Sequence, residues 1–188
     1  KTDTQKDTMP SCISFNKKQS IVAGEKAYNA LVSDRVKRMR RPEEKSTNVF
    51  IEFKRTMGSD KSYFSSHMDT GYSSEELSAE VLKKLKSFVT DESIQSAIVT
   101  VPAKFTSNQK DATLRAASLA GFSHCELLQE PIAAAMAYGL TSSNVDGNIL
   151  VFDFGGGTFD AALLDVKEGI MKVIDTEGDN YLGGKNLD

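Results

Sequence analysis

The chain has 188 residues, of which 39% are hydrophobic and 26% charged, and its formal net charge is −3. This length and composition are those of an ordinary globular protein with one large domain or two small ones. The small negative charge gives no electrostatic basis for nucleic-acid binding. No apolar run approaches the ~20 residues that a membrane-spanning helix needs. We therefore expect neither a nucleic-acid partner nor contact with a membrane.

The cysteine and histidine residues predict no zinc site. Cys12 and Cys125 lie far apart and form no CxxC pair, while His67 and His124 are isolated. Two separate thiols are typical of a protein in a reducing compartment, and the polar first residues lack the core of a signal peptide. We therefore expect a cytoplasmic protein. Because the chain begins with Lys1 rather than Met, we also expect a piece of a longer one.

The first forty residues predict two short strands and a helix. The strands are Cys12–Phe15 and residues 20–23. Gly24 opens the helix, which leads into the basic segment 35–41 and ends at Pro42. A solvated basic helix end is the favoured interpretation of that segment, and a phosphate-facing role is the alternative.

The next segment predicts a short helix followed by a long one. Thr47 or Asn48 caps the short helix, which ends at Gly58. The long helix begins with a capping box, because Ser73 and Glu76 are three residues apart. Its apolar residues recur at helical spacing and predict core packing; they are Leu77, Val81, Leu82, Leu85, Phe88 and Val89.

Strands and helices then alternate, which is typical of an α/β protein. The strand 97–101 stops at Pro102, the alanine-rich helix 112–120 follows, and the strand 126–128 leads to Glu130. A carboxylate at a helix start gains ~0.3–1 kcal/mol from the helix dipole, so helix entry alone accounts for Glu130. Its position at the end of a strand also fits a ligand site in an α/β sheet.

The most informative motif is a glycine-rich octapeptide between two apolar strands, Asp153-Phe154-Gly155-Gly156-Gly157-Thr158-Phe159-Asp160. Glycines let backbone N–H groups approach an anion closely. A carboxylate beside that anion requires a divalent cation between them, so the motif predicts a phosphate loop that also organises Mg²⁺. The alternative is a tight hairpin with glycines at positive φ. The other motifs of protein kinases and of Walker loops are absent from the sequence.

Four segments, in order, resemble the nucleotide-binding domain of the seventy-kilodalton heat-shock chaperones, the DnaK-like family. They are residues 99–103, 129–139, 153–160 and 178–187. The resemblance runs from about Met9 to the last residue and is thin between Arg35 and Tyr72. Chance does not explain four motifs that occur in the same order and at compatible spacing.

The resemblance implies an α/β fold, the actin-like ATPase fold, with two ribonuclease-H-like lobes and ATP in the cleft between them. The strand, glycine turn and strand signature occurs once here, at residues 148–174. We therefore assign residues 1–147 to most of lobe I, without its first phosphate hairpin. Residues 148–188 are assigned to the opening strands of lobe II, with the second phosphate loop.

The resemblance also implies chemical roles for individual residues. Lys54, in a Lys-Arg-x-x-Gly stretch, matches the catalytic lysine near the γ-phosphate. Glu130 and Asp153 match acidic residues that hold Mg²⁺, largely through water. Thr158 matches a hydroxyl close to the γ-phosphate, and Asp160 matches a further carboxylate near the metal and the attacking water.

Further positions match the phosphate loop and an allosteric region. Gly155, Gly156 and Gly157 match the second phosphate loop. Pro102 matches a proline that relays the nucleotide state, and the region from Pro102 to Lys110 matches a surface that touches the interdomain linker.

Three positions in this region depart from the family pattern. Lys110 replaces a usual arginine, Lys104 a usual tyrosine and Thr106 a usual asparagine. Because lysine cannot form the bidentate fork of arginine, these departures put the coupling to a substrate domain in doubt rather than hydrolysis.

The resemblance implies an ATP-hydrolysing chaperone domain whose ATP or ADP state controls a separate peptide-binding domain. The implied partners are that substrate-binding domain, unfolded client peptides, and J-domain and nucleotide-exchange co-chaperones, in protein folding and the heat-shock stress response. A nucleotide-sensing chaperone regulator with little hydrolysis is the alternative. A small-molecule kinase and a filament-forming actin relative share the fold, but no catalytic-base motif supports the first. The Glu130-Pro131 helix argues against the second.

For this chain alone we expect weak nucleotide binding and no turnover. The missing first hairpin removes about three hydrogen bonds to phosphate, at ~1.5–3 kcal/mol each. The sheet edge that this hairpin leaves open favours self-association.

Overall fold

The structure is a computed structural model that describes residue 2 and residues 5–40, 48–139, 146–179 and 181–187. The strands in these ranges are β1 (Cys12–Phe15), β2 (Ile21–Ala23), β3 (Val49–Ile51), β4 (Tyr63–Ser65), β5 (Thr70–Tyr72), β6 (Ser96–Val101), β7 (His124–Gln129), β8 (Gly147–Phe154), β9 (Phe159–Lys167) and β10 (Ile170–Asp179). The helices are α1 (Glu25–Arg40), α2 (Ser74–Lys86), α3 (Ser107–Leu119) and α4 (Glu130–Ala137), with 3₁₀ turns at Phe53–Thr56 and Gly184–Asn186.

The chain divides into two compact units. The first contains Lys1–Ala97 and Asp111–Cys125, and the second contains Ile98–Lys110 and Glu126–Asp188. Both mix strands and helices, in agreement with the α/β prediction. Within the described residues, no helix combines the length and the hydrophobicity that crossing a membrane requires.

An antiparallel sheet with the strand order β2-β1-β3 lies at the centre of the first unit. The two strands predicted on either side of residue 18 are confirmed as β1 and β2. Ile13, at the middle of β1, is fully buried and pairs with Ala23 on one side and Phe50 on the other. Phe15 stacks on Tyr72 at a ring distance of 4.4 Å, so the hairpin β4-β5 shares this core.

Helix α2 packs on this core through the predicted apolar stripe. Leu77 is fully buried against the cluster, whereas Leu85, two turns later, is 43% exposed. The predicted capping box is confirmed, because the Glu76 N–H donates to Ser73 Oγ at 3.2 Å and the Ser73 N–H donates to Glu76 Oε2 at 2.7 Å. The cap therefore fixes where α2 begins.

The short helix predicted after Asn48 is wrong. Val49–Ile51 is strand β3, paired with β1, and only Phe53–Thr56 winds into a 3₁₀ turn. Glu52 separates the two elements at a left-handed φ of 63°. Apolar residues at helical spacing predicted the helix, but β1 offers this segment a hydrogen-bonding partner, and that tertiary pairing decides the structure.

Of the remaining predictions for the first unit, one is confirmed and others fall outside the described residues. Helix α1 continues through the basic segment to Arg40, as predicted. The predicted stop at Pro42 and the predicted cap at Thr47 lie outside the described residues. The hairpin β4-β5, in which Tyr63 faces Tyr72, was not predicted because polar residues interrupt its alternation.

The predicted strand, helix and strand after residue 96 are confirmed as β6, α3 and β7, and the two strands pair with each other. The spacing of Thr106 and Gln109 in the sequence predicts a second capping box, which is also confirmed. Here the Thr106 N–H donates to Gln109 Oε1 at 2.9 Å and the Gln109 N–H donates to Thr106 Oγ1 at 3.3 Å. Gly121, at φ +82°, follows α3 in the left-handed conformation that glycine adopts most easily.

The second unit contains an antiparallel sheet with the order β10-β9-β8, packed against α4. Residues alternate along β9, so Ala162, Leu164 and Val166 are buried on the face towards the helix. Ala135 of α4 completes this core. The opposite face carries exposed apolar side chains, among them Leu150 at 68% and Ile170 at 72% exposure.

The predicted lobe assignment, 1–147 and 148–188, stays a prediction. The polar segment 141–147 before β8 predicts a loop, and its residues 141–145 lie outside the described residues.

Candidate functional site

The glycine-rich octapeptide forms the turn between β8 and β9. Phe154 and Phe159 are the last paired residues of the hairpin, so the loop contains residues 155–158. The Gly155 N–H donates to the Thr158 carbonyl at 2.9 Å and closes the loop. The sequence therefore places Asp153 and Asp160 one residue behind a four-residue glycine turn, as predicted.

Positive φ angles do not explain the glycine residues of this loop, although the interpretation as a simple hairpin requires such angles. Neither Gly155 nor Gly156 lies in the left-handed region. A Cβ on Gly155 would meet the Thr158 carbonyl at 3.4 Å, and a Cβ on Gly156 would meet nothing within 4 Å. Contacts within the chain therefore explain in part why residue 155 is glycine, but they do not explain why residue 156 is.

Two carboxylates face each other behind the loop. Asp153 and Asp160 are cross-strand partners, so their side chains leave the sheet on the same face. Asp160 is buried with 6% of its surface exposed, whereas Asp153 is exposed. Gly178 of β10 pairs with Asp160, and a Cβ there would lie 3.0 Å from Asp160 Oδ1. Gly178 therefore gives the Asp160 carboxylate its room.

A second loop lies directly against the glycine turn. The Gly184 N–H donates to the Gly155 carbonyl at 3.0 Å. A Cβ on Gly183 would overlap the Gly157 nitrogen and lie 2.6 Å from the Gly156 carbonyl carbon. Asn186 Oδ1 accepts from the Gly183 N–H at 3.0 Å and fixes this contact. The sequence analysis assigned no role to Gly183, although the consecutive glycines Gly183 and Gly184 indicate a place where two backbone segments can approach closely.

Glu130 lies in the second unit, at the start of α4. It is the first residue of that helix, half-buried, with Pro131 in the first turn. Helix α4 packs against β8, the strand that carries Asp153. A groove of ≈ 560 Å³ between them is lined by apolar residues of both elements and by Asp153. The carboxylates of Glu130 and Asp153 thus belong to two elements in direct contact.

Lys54 lies in the first unit, on the 3₁₀ turn that follows β3, and its side chain is exposed. Phe53 and Met57, on either side, are buried with 3% and 5% of their surfaces exposed. The turn is therefore anchored by apolar side chains and presents Lys54 to solvent. Asp153 and the glycine loop belong to the other unit.

The predicted allosteric residues lie at the end of β6 and the start of α3. Pro102 is fully buried, and its carbonyl accepts from the Phe105 N–H at 3.1 Å. Lys110 is half-buried in the first turn of α3. Lys104, which departs from the family pattern, donates to Glu177 Oε2 at 2.9 Å. The ammonium of Lys104 holds the pKa of the Glu177 carboxyl below its ordinary value.

Among the described residues, no three histidine, cysteine or acidic side chains converge as ligands of a bare metal ion. An ion that keeps most of its water shell needs fewer protein ligands, as Mg²⁺ does. The opposed pair Asp153 and Asp160 fits such an ion, because each carboxylate offers oxygen ligands and their mutual repulsion is relieved by a cation.

Comparison with known proteins agrees with this geometry. The family described as "Hsp70 protein" matches the chain over residues 1–188. The chain belongs to the Hsp70 family. Its α/β architecture, with the glycine hairpin in the second unit, is therefore part of the actin-like ATPase fold.

Several curated relatives are named "Chaperone protein DnaK". The one from Thermosipho melanesiensis is 38% identical over 184 residues, which cover 96% of this chain and 29% of the relative. The one from Nitrosopumilus maritimus is 37% identical over 183 residues, covering 95% and 27%. The one from Thermotoga maritima is 38% identical over 183 residues, covering 95% and 28%. The chain thus spans less than a third of the length of these relatives.

Proposed function

We propose that the chain is part of the ATP-hydrolysing domain of a molecular chaperone, in which the nucleotide state controls a separate peptide-binding domain. The single observation that carries this proposal is the loop 155–158, with two carboxylates behind it and a second glycine loop packed on its backbone. Chaperone relatives that cover nearly the whole chain support it.

The loop suits a phosphate group for a steric reason. Nothing in the chain within 4 Å requires Gly156 to lack a Cβ. A close approach by an outside group supplies that reason, since a glycine backbone lets an anion reach the N–H groups. The contact from Gly184 to the Gly155 carbonyl orients the peptide planes beforehand. In this proposal Gly155, Gly156 and Gly157 bind phosphate, and the Thr158 hydroxyl lies near the γ-phosphate.

Magnesium goes with the nucleotide in this proposal. Asp153, Glu130 and Asp160 would hold Mg²⁺, largely through its water ligands, and the ion would neutralise charge on the phosphates. The exposed Asp153 suits contact with a hydrated ion, and Asp160, which is buried, would orient a water molecule.

Lys54 contributes a positive charge to the same reaction. An ammonium group stabilises the charge that develops on the transferred phosphoryl group. Pro102 and Lys110 are proposed to relay the nucleotide state to the peptide-binding domain. The ion pair from Lys104 to Glu177 ties this region to β10 within the second unit.

The remaining parts of the proposal concern the whole protein. Its partners are its own substrate-binding domain, unfolded client peptides, and J-domain and nucleotide-exchange co-chaperones. Its setting is the cytoplasm and the heat-shock response, in keeping with the chaperone relatives that the chain matches. Self-association of the 188-residue chain, as opposed to the intact protein, stays a prediction.

The test is steady-state ATP hydrolysis with Mg²⁺ by the intact protein, its Lys54→Ala variant and a Lys83→Ala control. Lys83 is exposed on α2, and its ammonium group lies 2.7 Å from the neighbouring Glu80 carboxylate. We expect Lys54→Ala to abolish steady-state turnover, leaving only a trace that single-turnover measurements detect, while ATP still binds, and Lys83→Ala to behave as the parent. Tight ATP binding without turnover in the parent protein would instead favour the nucleotide-sensing regulator.

A further inference from the structure

The 3₁₀ turn that carries Lys54 is held in part by backbone hydrogen bonds of unequal length. The Arg55 N–H donates to the Glu52 carbonyl at 3.0 Å, and the Met57 N–H donates to the Lys54 carbonyl at a long 3.4 Å. Glu52 enters the turn at φ 63°, which is a strained conformation for a residue with a side chain. Short 3₁₀ turns have poor hydrogen-bond geometry, so other contacts must hold this one in a single conformation.

Three hydroxyl groups supply those contacts, and we call Thr56, Tyr63 and Ser74 the hydroxyl cluster. Thr56 Oγ1 lies 2.7 Å from Tyr63 Oη and 2.8 Å from Ser74 Oγ. Thr56 Oγ1 also donates to the Phe53 carbonyl at 3.1 Å. The cluster joins the turn to β4 and to the first residue of α2, so three separate segments meet at one threonine.

Three hydroxyl hydrogens serve the four short contacts of the cluster. Thr56 Oγ1 donates to the Phe53 carbonyl, and Tyr63 donates to Thr56 Oγ1. The hydrogen of Ser74 Oγ is shared between the Thr56 carbonyl at 3.1 Å and Thr56 Oγ1 at 2.8 Å. Ser74 is fully buried. Removing one hydroxyl therefore leaves a polar group without its partner, which costs more than the bond itself.

We propose that the hydroxyl cluster positions Lys54 for phosphoryl transfer by locking the backbone of its turn. This inference rests on the proposed role of Lys54 in hydrolysis. A lysine has a long, flexible stem, so the protein controls the ammonium mainly through the place and direction of the Cα. Thr56 lies two residues after Lys54. Its hydroxyl donates a hydrogen bond to the carbonyl of Phe53, the residue directly before Lys54.

The sequence offers a closely matched pair of variants. Tyr63 and Tyr72 face each other across the hairpin β4-β5, and both pack on the core of the first unit. Only Tyr63 has its hydroxyl within hydrogen-bonding distance of Thr56. Tyr63→Phe and Tyr72→Phe therefore remove the same atom from neighbouring positions, and only the first breaks the cluster.

The experiment measures kcat, ATP affinity and thermal stability of the intact protein carrying Tyr63→Phe, Tyr72→Phe, Thr56→Val or Thr56→Ser. We expect Thr56→Val to lower kcat about tenfold, since small misplacements of a catalytic group have effects of this order. Tyr63→Phe should lower kcat by a smaller factor. ATP affinity should stay within about twofold of the parent value, because the lost interaction acts in the transition state. Thr56→Ser, which keeps the hydroxyl, should restore kcat, and Tyr72→Phe should leave it unchanged.

A double-mutant cycle with Lys54→Ala separates positioning from general destabilisation. Residual hydrolysis is measured in single turnovers, and we expect Thr56→Val to cause no further loss once Lys54 is gone. An equal loss in both backgrounds would overturn the inference, as would an unchanged kcat in Tyr63→Phe and Thr56→Val. Full turnover by Lys54→Ala itself would refute both the proposed role of Lys54 and this inference. A lower kcat in Lys54→Ala, with an unchanged kcat in the variants of the hydroxyl cluster, would refute the positioning role of the cluster but not the role of Lys54.

Discussion

Asp153 and Asp160 face each other across the hairpin β8-β9, on the same side of the sheet and one residue behind the glycine loop. Like charges at directly opposed positions destabilise an antiparallel pair. Asp160 is buried, which adds to the cost of its charge. A Cβ on Gly178 would overlap the Phe159 carbonyl oxygen and lie 3.0 Å from Asp160 Oδ1, so glycine leaves room beside that carboxylate. The proposed Mg²⁺ would relieve the repulsion between the two carboxylates.

The first prediction concerns Asp153→Asn. Without Mg²⁺ and nucleotide, the variant should be more stable than the parent by roughly 0.2–1 kcal/mol, because one of two opposed charges is gone. With Mg²⁺ and ADP, the parent should instead be more stable than the variant, because only the parent gains stability from the bound ion. Thermal denaturation with and without Mg²⁺ and ADP measures both effects.

Asp165→Asn is the control for this prediction. Asp165 lies on β9, the strand that carries Asp160, but it faces Lys172 across the sheet and lies 3.5 Å from Lys167. Its neutralisation should leave stability unchanged or lower it slightly, and should not alter the response to Mg²⁺. An increase in stability for Asp165→Asn equal to that for Asp153→Asn would show that general charge reduction, not the opposed pair, is responsible.

The second prediction separates a phosphate loop from a structural hairpin. Gly156→Ala places a methyl group where the chain leaves 4 Å of open space, so we expect unchanged folding. ATP affinity of the intact protein should nevertheless fall at least tenfold, because the methyl group prevents close approach of a phosphate to the backbone. Calorimetric titration with ATP, beside a melting curve of each protein, tests this expectation.

Gly183→Ala provides the matching case, in which the structure itself is disturbed. Its methyl group would overlap the peptide between Gly156 and Gly157, so the two loops must separate. We expect both stability and ATP affinity to fall. Normal ATP affinity in Gly156→Ala, with a loss only in Gly183→Ala, would mean that these glycines serve packing and not nucleotide binding.

The third prediction follows from the ion pair between Lys104 and Glu177. The hydrogen bond and charge of Lys104 lower the pKa of Glu177. A lowered pKa in the folded state contributes stability above the unfolded pKa, and this contribution disappears as the pH falls through the folded pKa. Lys104→Met should therefore return the Glu177 pKa to its ordinary value, with a small stability loss at pH 7 that vanishes in acid.

Titration of the Glu177 side chain by NMR measures this pKa directly. Lys172→Met is the control, since Lys172 lies on the same strand, β10, and pairs with Asp165 rather than Glu177. An unchanged Glu177 pKa in Lys104→Met would show that the two side chains do not pair in solution. Because Glu177 is fully exposed, salt should weaken the effect.

Local signals in the sequence predicted most of the elements that local physics controls. Ser73 and Thr106 begin α2 and α3 through capping boxes, and the glycine loop joins β8 and β9 as predicted. These features depend on residues within four positions of each other, so the sequence displays them directly. The family motifs added the roles proposed for the site.

Features that depend on contacts between distant residues were not predicted from the sequence. Val49–Ile51 has the spacing of a helix but pairs with β1, more than thirty residues away, as strand β3. Gly183 lies against Gly156 across the whole of β9 and β10, and Thr56 meets Ser74 across a hairpin. No periodicity records such contacts, because tertiary packing and not local propensity creates them.

The last prediction tests whether the core beneath the Lys54 turn is as the structure places it. Leu77, on α2, is fully buried in the cluster that also contains Phe53, the residue next to Lys54. Leu77→Ala should lower the free energy of unfolding by ~2–5 kcal/mol, as expected for a cavity in a packed core. Leu85→Ala, on the same helix at 43% exposure, should cost less than ~1 kcal/mol because much less apolar surface is buried there. Urea denaturation of the two variants gives both values, and equal losses would mean that α2 packs with a different face from the one described.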